Sequence, residues 1–239
     1  MGPHEVEAFI SKYTTLFAPR DDATIVIFPP SISLVPFALA VEGRSDLEFG
    51  IQDVHTEVQG AHTGAISAAM VSGTQATWGL AGHSERRSEF GDGDAMVGTK
   101  LGRLFDAGIQ PILCVGETIE EREAGRLFNV LERQIRGALE PLSEDVRREL
   151  VYAYEPVWAI GTGHTATPSD ASEAHAIVRE VVAAIVDEEN AKAVTILYGG
   201  SVKPENIKEL ITAAGVDGVL VGGASLDPAS WAVICDCGR

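Results

Sequence analysis

Residues 97–115 read VGTKLGRLFDAGIQPILCV. Here Val97, Leu101, Leu104 and Phe105 recur at helical spacing, and Gly108 stands where a helix commonly ends on a left-handed residue. Residues 109–115 then form a short, nearly all-apolar run, which reads as a strand buried on both faces. Helix, glycine stop and buried strand together make the repeating unit of an α/β fold. Outward from this stretch the unit recurs. Apolar runs at 24–28, 47–52, 77–81, 151–154, 194–198 and 218–221 bring the strands to seven. Between them lie helical patterns such as Val178, Val181, Val182 and Ile185, preceded by Thr167 as a cap and Pro168 at the first helical position. Towards the N-terminus, Val6, Phe9, Ile10, Tyr13 and Phe17 predict a helix opening at about Pro3, ahead of the first strand. This alternation predicts one domain over residues 1–239, a parallel sheet covered by helices.

At 239 residues the chain has the length of a single α/β barrel, which runs to roughly 250. A net charge of −17 excludes nucleic acid and anionic membranes as partners. It also repels an anionic substrate at long range, so any phosphate has to be held locally, by backbone N–H groups with or without one or two cations. No apolar run approaches the ~18 residues of a membrane span. The segment Met1-Gly2-Pro3-His4-Glu5 has no basic or apolar secretion signal, and the cytoplasm is the expected location. The three cysteines, Cys114, Cys235 and Cys237, are expected to be reduced thiols.

In parallel α/β folds the loops after the strand C-termini carry function. After the third strand comes Gly82-His83-Ser84-Glu85-Arg86-Arg87, a charged cluster where an apolar run stops. After the fifth comes Tyr154-Glu155-Pro156-Val157-Trp158-Ala159-Ile160-Gly161-Thr162-Gly163. A carboxylate followed by an apolar flap can be desolvated, which makes it a stronger base. The last two strands end in Tyr198-Gly199-Gly200-Ser201-Val202 and Val221-Gly222-Gly223-Ala224-Ser225, where glycines let backbone N–H groups approach an anion.

These four runs, in this order and spacing, resemble the signature motifs of the triosephosphate isomerase family, and residues 60–67 and 111–125 resemble it too. The resemblance implies a TIM (β/α)8-type barrel and the interconversion of glyceraldehyde 3-phosphate and dihydroxyacetone phosphate through an enediolate, with no cofactor and no metal. It implies Glu155 as the base and neutral His83 as the electrophile, with Glu85 supporting. That pairing in this family is already the standard example of such pKa tuning. It further implies that Gly161, Ser201, Gly222 and Gly223 bind the substrate phosphate, that residues 156–162 close over it, and that Thr63 lies on a loop inserted into a second copy of a homodimer. Gln52-Asp53 departs from the family, which usually has asparagine at the second position.

One family feature has no counterpart in these residues. Family members begin with a strand carrying an asparagine and, two residues later, the catalytic lysine. In this sequence Lys12 belongs to the first helix, and Lys100, Lys192, Lys203 and Lys208 are expected on later helical segments. The reading is therefore a barrel with only seven strands evident, its activity impaired by the missing lysine; either the true start lies upstream and this chain is a truncated form, or a rearranged sheet, a swapped segment or a changed dimer fills the gap. The alternative is a non-catalytic, phosphate-binding or structural descendant of the family.

Overall fold

The computed structural model of the chain describes residues 1–160 and 166–237. Among them seven strands pair in sequence order: β1 (Ile25–Ile27), β2 (Leu47–Ile51), β3 (Trp78–Ala81), β4 (Gln110–Val115), β5 (Val151–Tyr154), β6 (Ile196–Tyr198) and β7 (Gly218–Val219). Every pairing is parallel. Helices alternate with the strands, and the result is a curled sheet of TIM-barrel type. Three strands are markedly shorter than the sequence suggests: residues 24–28 contract to Ile25–Ile27, 194–198 to Ile196–Tyr198 and 218–221 to Gly218–Val219.

The two-residue period of the strands sorts side chains into two layers. In β4, Leu113 and Val115 point outward into the helical layer, with Leu131 and Ile135 of helix Leu127–Leu139 and Val178 and Val182 of helix Pro168–Ile185. Ile112 and Cys114 point the other way and join Leu80 and Ala153 inside the curl. Register Leu113↔Tyr152 and Cys114↔Ala153 carries the same division across to β5.

Local chemistry sets the helix boundaries. Gly108 takes φ +72° just past helix Asp94–Asp106, a conformation that strains any residue with a Cβ. The Thr167 hydroxyl accepts from the Asp170 N–H at 3.2 Å, with Pro168 in the first turn. Helix Pro3–Leu16 starts where the sequence places it, and it buries Val6, Ile10 and Tyr13 against Ile25, Phe37 and Phe49.

That first helix also packs against the last, Pro228–Asp236. Arg20 Nη1 donates to the Cys235 carbonyl at 2.6 Å, and Lys12 Nζ lies 3.8 Å from Asp227. The outer ring of helices thus meets itself beside the gap between β1 and β7. Among the described residues no helix is long and apolar enough to cross a membrane.

Candidate active site

The residue after β5 is Glu155, only 2% exposed. Its N–H donates to the Val115 carbonyl at 2.7 Å, and the Gly199 N–H donates to the Tyr154 carbonyl at 2.7 Å, so the ladder runs on past the named strands. This close approach depends on two glycines that sequence reasoning did not single out for it. A Cβ on Gly116 would land on the Glu155 carbonyl oxygen, and one on Gly199 would lie 2.9 Å from Glu155 Cγ. Gln134, on helix Leu127–Leu139, fixes Gly116 from behind. It accepts from the Gly116 N–H at 2.8 Å and donates to its carbonyl at 3.0 Å.

The Glu155 carboxylate meets the tip of β3. Oε2 accepts from the Ser84 N–H at 3.0 Å, Oε1 accepts from the Ser84 hydroxyl at 3.4 Å, and His83 Nε2 lies 3.0 Å from Oε1. His83 caps helix Ser84–Phe90 with its side chain: Nδ1 accepts from the Glu85 N–H at 3.4 Å. That bond requires Nδ1 to be unprotonated, so the proton of the neutral ring sits on Nε2, facing the carboxylate. Burial pulls the His83 pKa down, but the hydrogen bond and charge of Glu155, helped by Glu85, outweigh it, and the net direction is up.

Arg87 locks the strand tips. Its guanidinium donates to the carbonyls of Gly82 at 2.7 Å and Cys114 at 3.1 Å and to Asp94 at 2.6 Å. Arg86 turns away to Asp53 at 3.3 Å and Asp92 at 3.4 Å. Neither arginine pairs with Glu85, whose ion-pair contact among the described residues is His83 Nδ1 at 3.8 Å. The unusual Asp53 has its own cation, since Lys100 Nζ lies 2.8 and 3.0 Å from its two oxygens and 2.5 Å from Asp92. Burial still leaves the Asp53 pKa raised, against the pull of Lys100 and Arg86.

Beneath the flap, fully buried Glu117 accepts from the Tyr154 hydroxyl at 3.0 Å and the Trp158 indole at 2.8 Å. Its burial raises its pKa. It also holds the flap's start, where the Val157 N–H donates to its carbonyl at 3.2 Å. Of residues 156–162, those up to Ile160 are described, with a 3-10 turn at Val157–Ala159, and Gly161 lies outside the described residues.

His83, Glu155, Ser201, Gly222 and Gly223 line one cavity of about 2450 Å³. A Cβ on Gly222 or Gly223 would meet nothing within 4 Å, so their backbone faces open space. At the β6 tip the glycines serve packing instead, since a Cβ on Gly200 would overlap the Tyr198 ring. Lys203 corrects its sequence assignment. It lies in the loop before helix Ile207–Ile211, because Pro204 opens a turn there, and it also lines the cavity. Thr63 sits apart, on an exposed loop bounded by Gly60 at φ +137° and Gly64 at φ +84°.

A buried carboxylate in contact with an imidazole, at the C-terminal tips of a curled parallel sheet and over a glycine-rimmed cavity, defines an α/β-barrel enzyme equipped for proton transfer. The sequence profile described as triosephosphate isomerase matches residues 2–237. A triosephosphate isomerase of Nitratidesulfovibrio vulgaris is 50% identical over 215 residues, covering 90% of this chain and 85% of that protein. One from Syntrophotalea carbinolica is 44% identical, covering 93% and 88%, and one from Carboxydothermus hydrogenoformans is 43% identical, covering 97% and 92%. The chain belongs to the triosephosphate isomerase family, and so to the aldose-ketose isomerases.

Because Glu155 is the chief upward influence on His83, removing its charge leaves burial in control. In an NMR titration Glu155→Gln is expected to lower the His83 midpoint, and Glu85→Gln to lower it less. A midpoint unchanged in Glu155→Gln would refute the contact. By linkage, the stability this pair contributes is present below the unfolded-state histidine pKa of about 6.5 and is lost as pH rises through the higher folded value.

Proposed function

We propose that this chain interconverts glyceraldehyde 3-phosphate and dihydroxyacetone phosphate, with Glu155 taking the proton from the carbon next to the substrate carbonyl. The observation that carries the reading is the 3.0 Å contact between Glu155 and His83 Nε2 at the cavity rim. A substrate carbonyl that enters between the two groups displaces the carboxylate from Nε2 and weakens the influence that raises the His83 pKa. Burial then favours the neutral ring, whose Nε2–H donates to the carbonyl oxygen and to the enediolate that follows. Gly161, Ser201, Gly222 and Gly223 hold the phosphate through N–H groups and a hydroxyl, and closure of 156–162 excludes water and protects the intermediate from losing its phosphate. Glu85 supports His83 through Nδ1.

In this reading no lysine of the given sequence takes the place of the family's catalytic lysine. Loss of one preorganised charge stabiliser lowers turnover by about 10²–10³. The same absence favours the second reading, a non-catalytic descendant that keeps phosphate binding. The exposed, glycine-bounded loop around Thr63 supports a homodimer. The location proposed is the cytoplasm.

Assayed with glyceraldehyde 3-phosphate beside the Nitratidesulfovibrio vulgaris relative, the chain is expected to turn over slowly. Glu155→Gln is expected to remove about 10²–10⁴ of what remains. Turnover equal to the relative's sinks the lysine claim, and turnover indifferent to Glu155→Gln sinks the catalytic one. Sedimentation equilibrium is expected to give twice the 25.3 kDa chain mass, whereas a monomer at micromolar concentration contradicts the dimer.

A further inference from the structure

Beyond the end of a strand every buried N–H and C=O still needs a partner, and at the tip of β4 the partners can be followed residue by residue. The Val115 carbonyl accepts from the Glu155 N–H at 2.7 Å and the Glu117 carbonyl from the Val157 N–H at 3.2 Å, so both face β5. Successive residues of a parallel strand turn their polar groups to opposite neighbours, so Cys114 and Gly116 face the β3 side. β3 does not extend far enough to meet them. Its last pairing is Ala81↔Leu113, and its chain then enters helix Ser84–Phe90. Side chains take its place. Arg87 Nη2 donates to the Cys114 carbonyl at 3.1 Å, and Gln134 takes both polar groups of Gly116, accepting at 2.8 Å and donating at 3.0 Å.

Gln134 is an unusual residue for its place. It is 5% exposed and shares a helix face with Leu131, Ile135 and Ala138, all fully buried in the apolar layer outside the sheet. An amide buried there is costly unless it is hydrogen-bonded, and Gly116 satisfies it. Gly116 is buried as well, and it lies against the backbone of Glu155. A Cβ built on it would be 3.3 Å from Glu155 Cα and would overlap the Glu155 carbonyl oxygen. With no slack between the two backbones, a displacement of Gly116 passes directly to Glu155.

We propose that Gln134 is a positioning residue for Glu155: by standing in for the absent strand neighbour it holds Gly116 in place, and through that backbone contact it aims the Glu155 carboxylate at His83. Without the amide, Gly116 has two buried polar groups unpaired, and they find new partners only if the strand tip moves. That movement turns the carboxylate away from Ser84 and His83, whose contacts with it are 3.0 Å long. A misplacement of about 1 Å at a reacting group costs on the order of 10²-fold in rate. The effect on turnover rests on the isomerase reading, whereas the effect on the His83 contact does not.

Gln134→Met in the whole chain keeps the length of the side chain and removes both bonds. In an NMR titration its His83 midpoint is expected to fall towards that of Glu155→Gln, because Glu155 is the chief upward influence on His83. Ile135→Val, on the same helix, is expected to lower the melting temperature and leave the midpoint where it was. With glyceraldehyde 3-phosphate, Gln134→Met is expected to lower kcat by about 10–10²-fold and to change KM by less than about twofold. Gln134→Glu gives an independent readout. Its protonated carboxyl offers one acceptor and one donor, as the amide does, whereas its anion only accepts. Its turnover as a fraction of the unaltered chain's at the same pH is expected to rise as pH falls, while the fraction for Gln134→Met stays flat. Glu117, Glu155 and His83 are common to all these chains, so the ratio isolates position 134. A His83 midpoint unchanged in Gln134→Met, or lowered equally by Ile135→Val, overturns the proposal, and so does a Gln134→Glu fraction that runs parallel to that of Gln134→Met. A midpoint that falls in a chain without any turnover supports the positioning role and counts against the isomerase reading instead.

Discussion

The backbone of Glu155 runs between two residues that have no side chains. Gly116 on one side and Gly199 on the other let the tips of β4, β5 and β6 come together so closely that a single Cβ on Gly116 would strike the Glu155 carbonyl. The rest of the site follows from this approach. It fixes the direction in which the carboxylate leaves the sheet, towards Ser84 and His83. Gln134 and Arg87 act on the same backbone, one holding Gly116 through both its polar groups and the other tying the carbonyls of Gly82 and Cys114. A buried carboxylate is costly to keep, and the cost is offset by the hydrogen bonds it accepts from Ser84 and by its contact with His83.

The second constraint acts on the whole fold. Among the described residues an inner sheet with two unpaired edges sits within helices that do meet, so the cavity at the strand tips extends down between β1 and β7. The interior of the curl is accordingly thin. Leu80, Ile112, Cys114 and Ala153 are fully covered, while Phe28, Trp78, Val151, Leu197 and Leu220 around them are only partly so. The outer layer is the larger and better packed, and it carries most of the apolar burial. Stability and chemistry thus draw on different layers. The helical layer holds the strands in register, and the half-open interior carries the cavity that His83 and Glu155 line.

Much of this was legible in the sequence, because local patterns report local structure. All seven strands, the helix opening at Pro3, the Gly108 stop and the Thr167 cap follow from periodicity and capping chemistry within a few residues of each feature. The two candidate groups, His83 and Glu155, were also readable, since each lies just past a buried strand. What could not be read was contact between distant segments. The glycines that admit Glu155 look like ordinary turn residues until β4 and β6 flank β5. The Asp53–Lys100–Asp92–Arg86 cluster joins segments up to 47 residues apart. Glu117 looks like a surface acid in a charged stretch, yet it is buried under the flap with Tyr154 and Trp158. A signal was present in Val115-Gly116-Glu117, an apolar strand running directly into glycine and acid.

The central claim is that Glu155 removes a carbon-bound proton next to a carbonyl. Incubating the chain with dihydroxyacetone phosphate in heavy water and following the substrate by proton NMR tests it directly. The account predicts deuterium entering at the carbon beside the carbonyl that bears the hydroxyl, with the rate falling to background in Glu155→Gln. Deuterium incorporation that is absent from the unaltered chain, or that continues undiminished in Glu155→Gln, would contradict it.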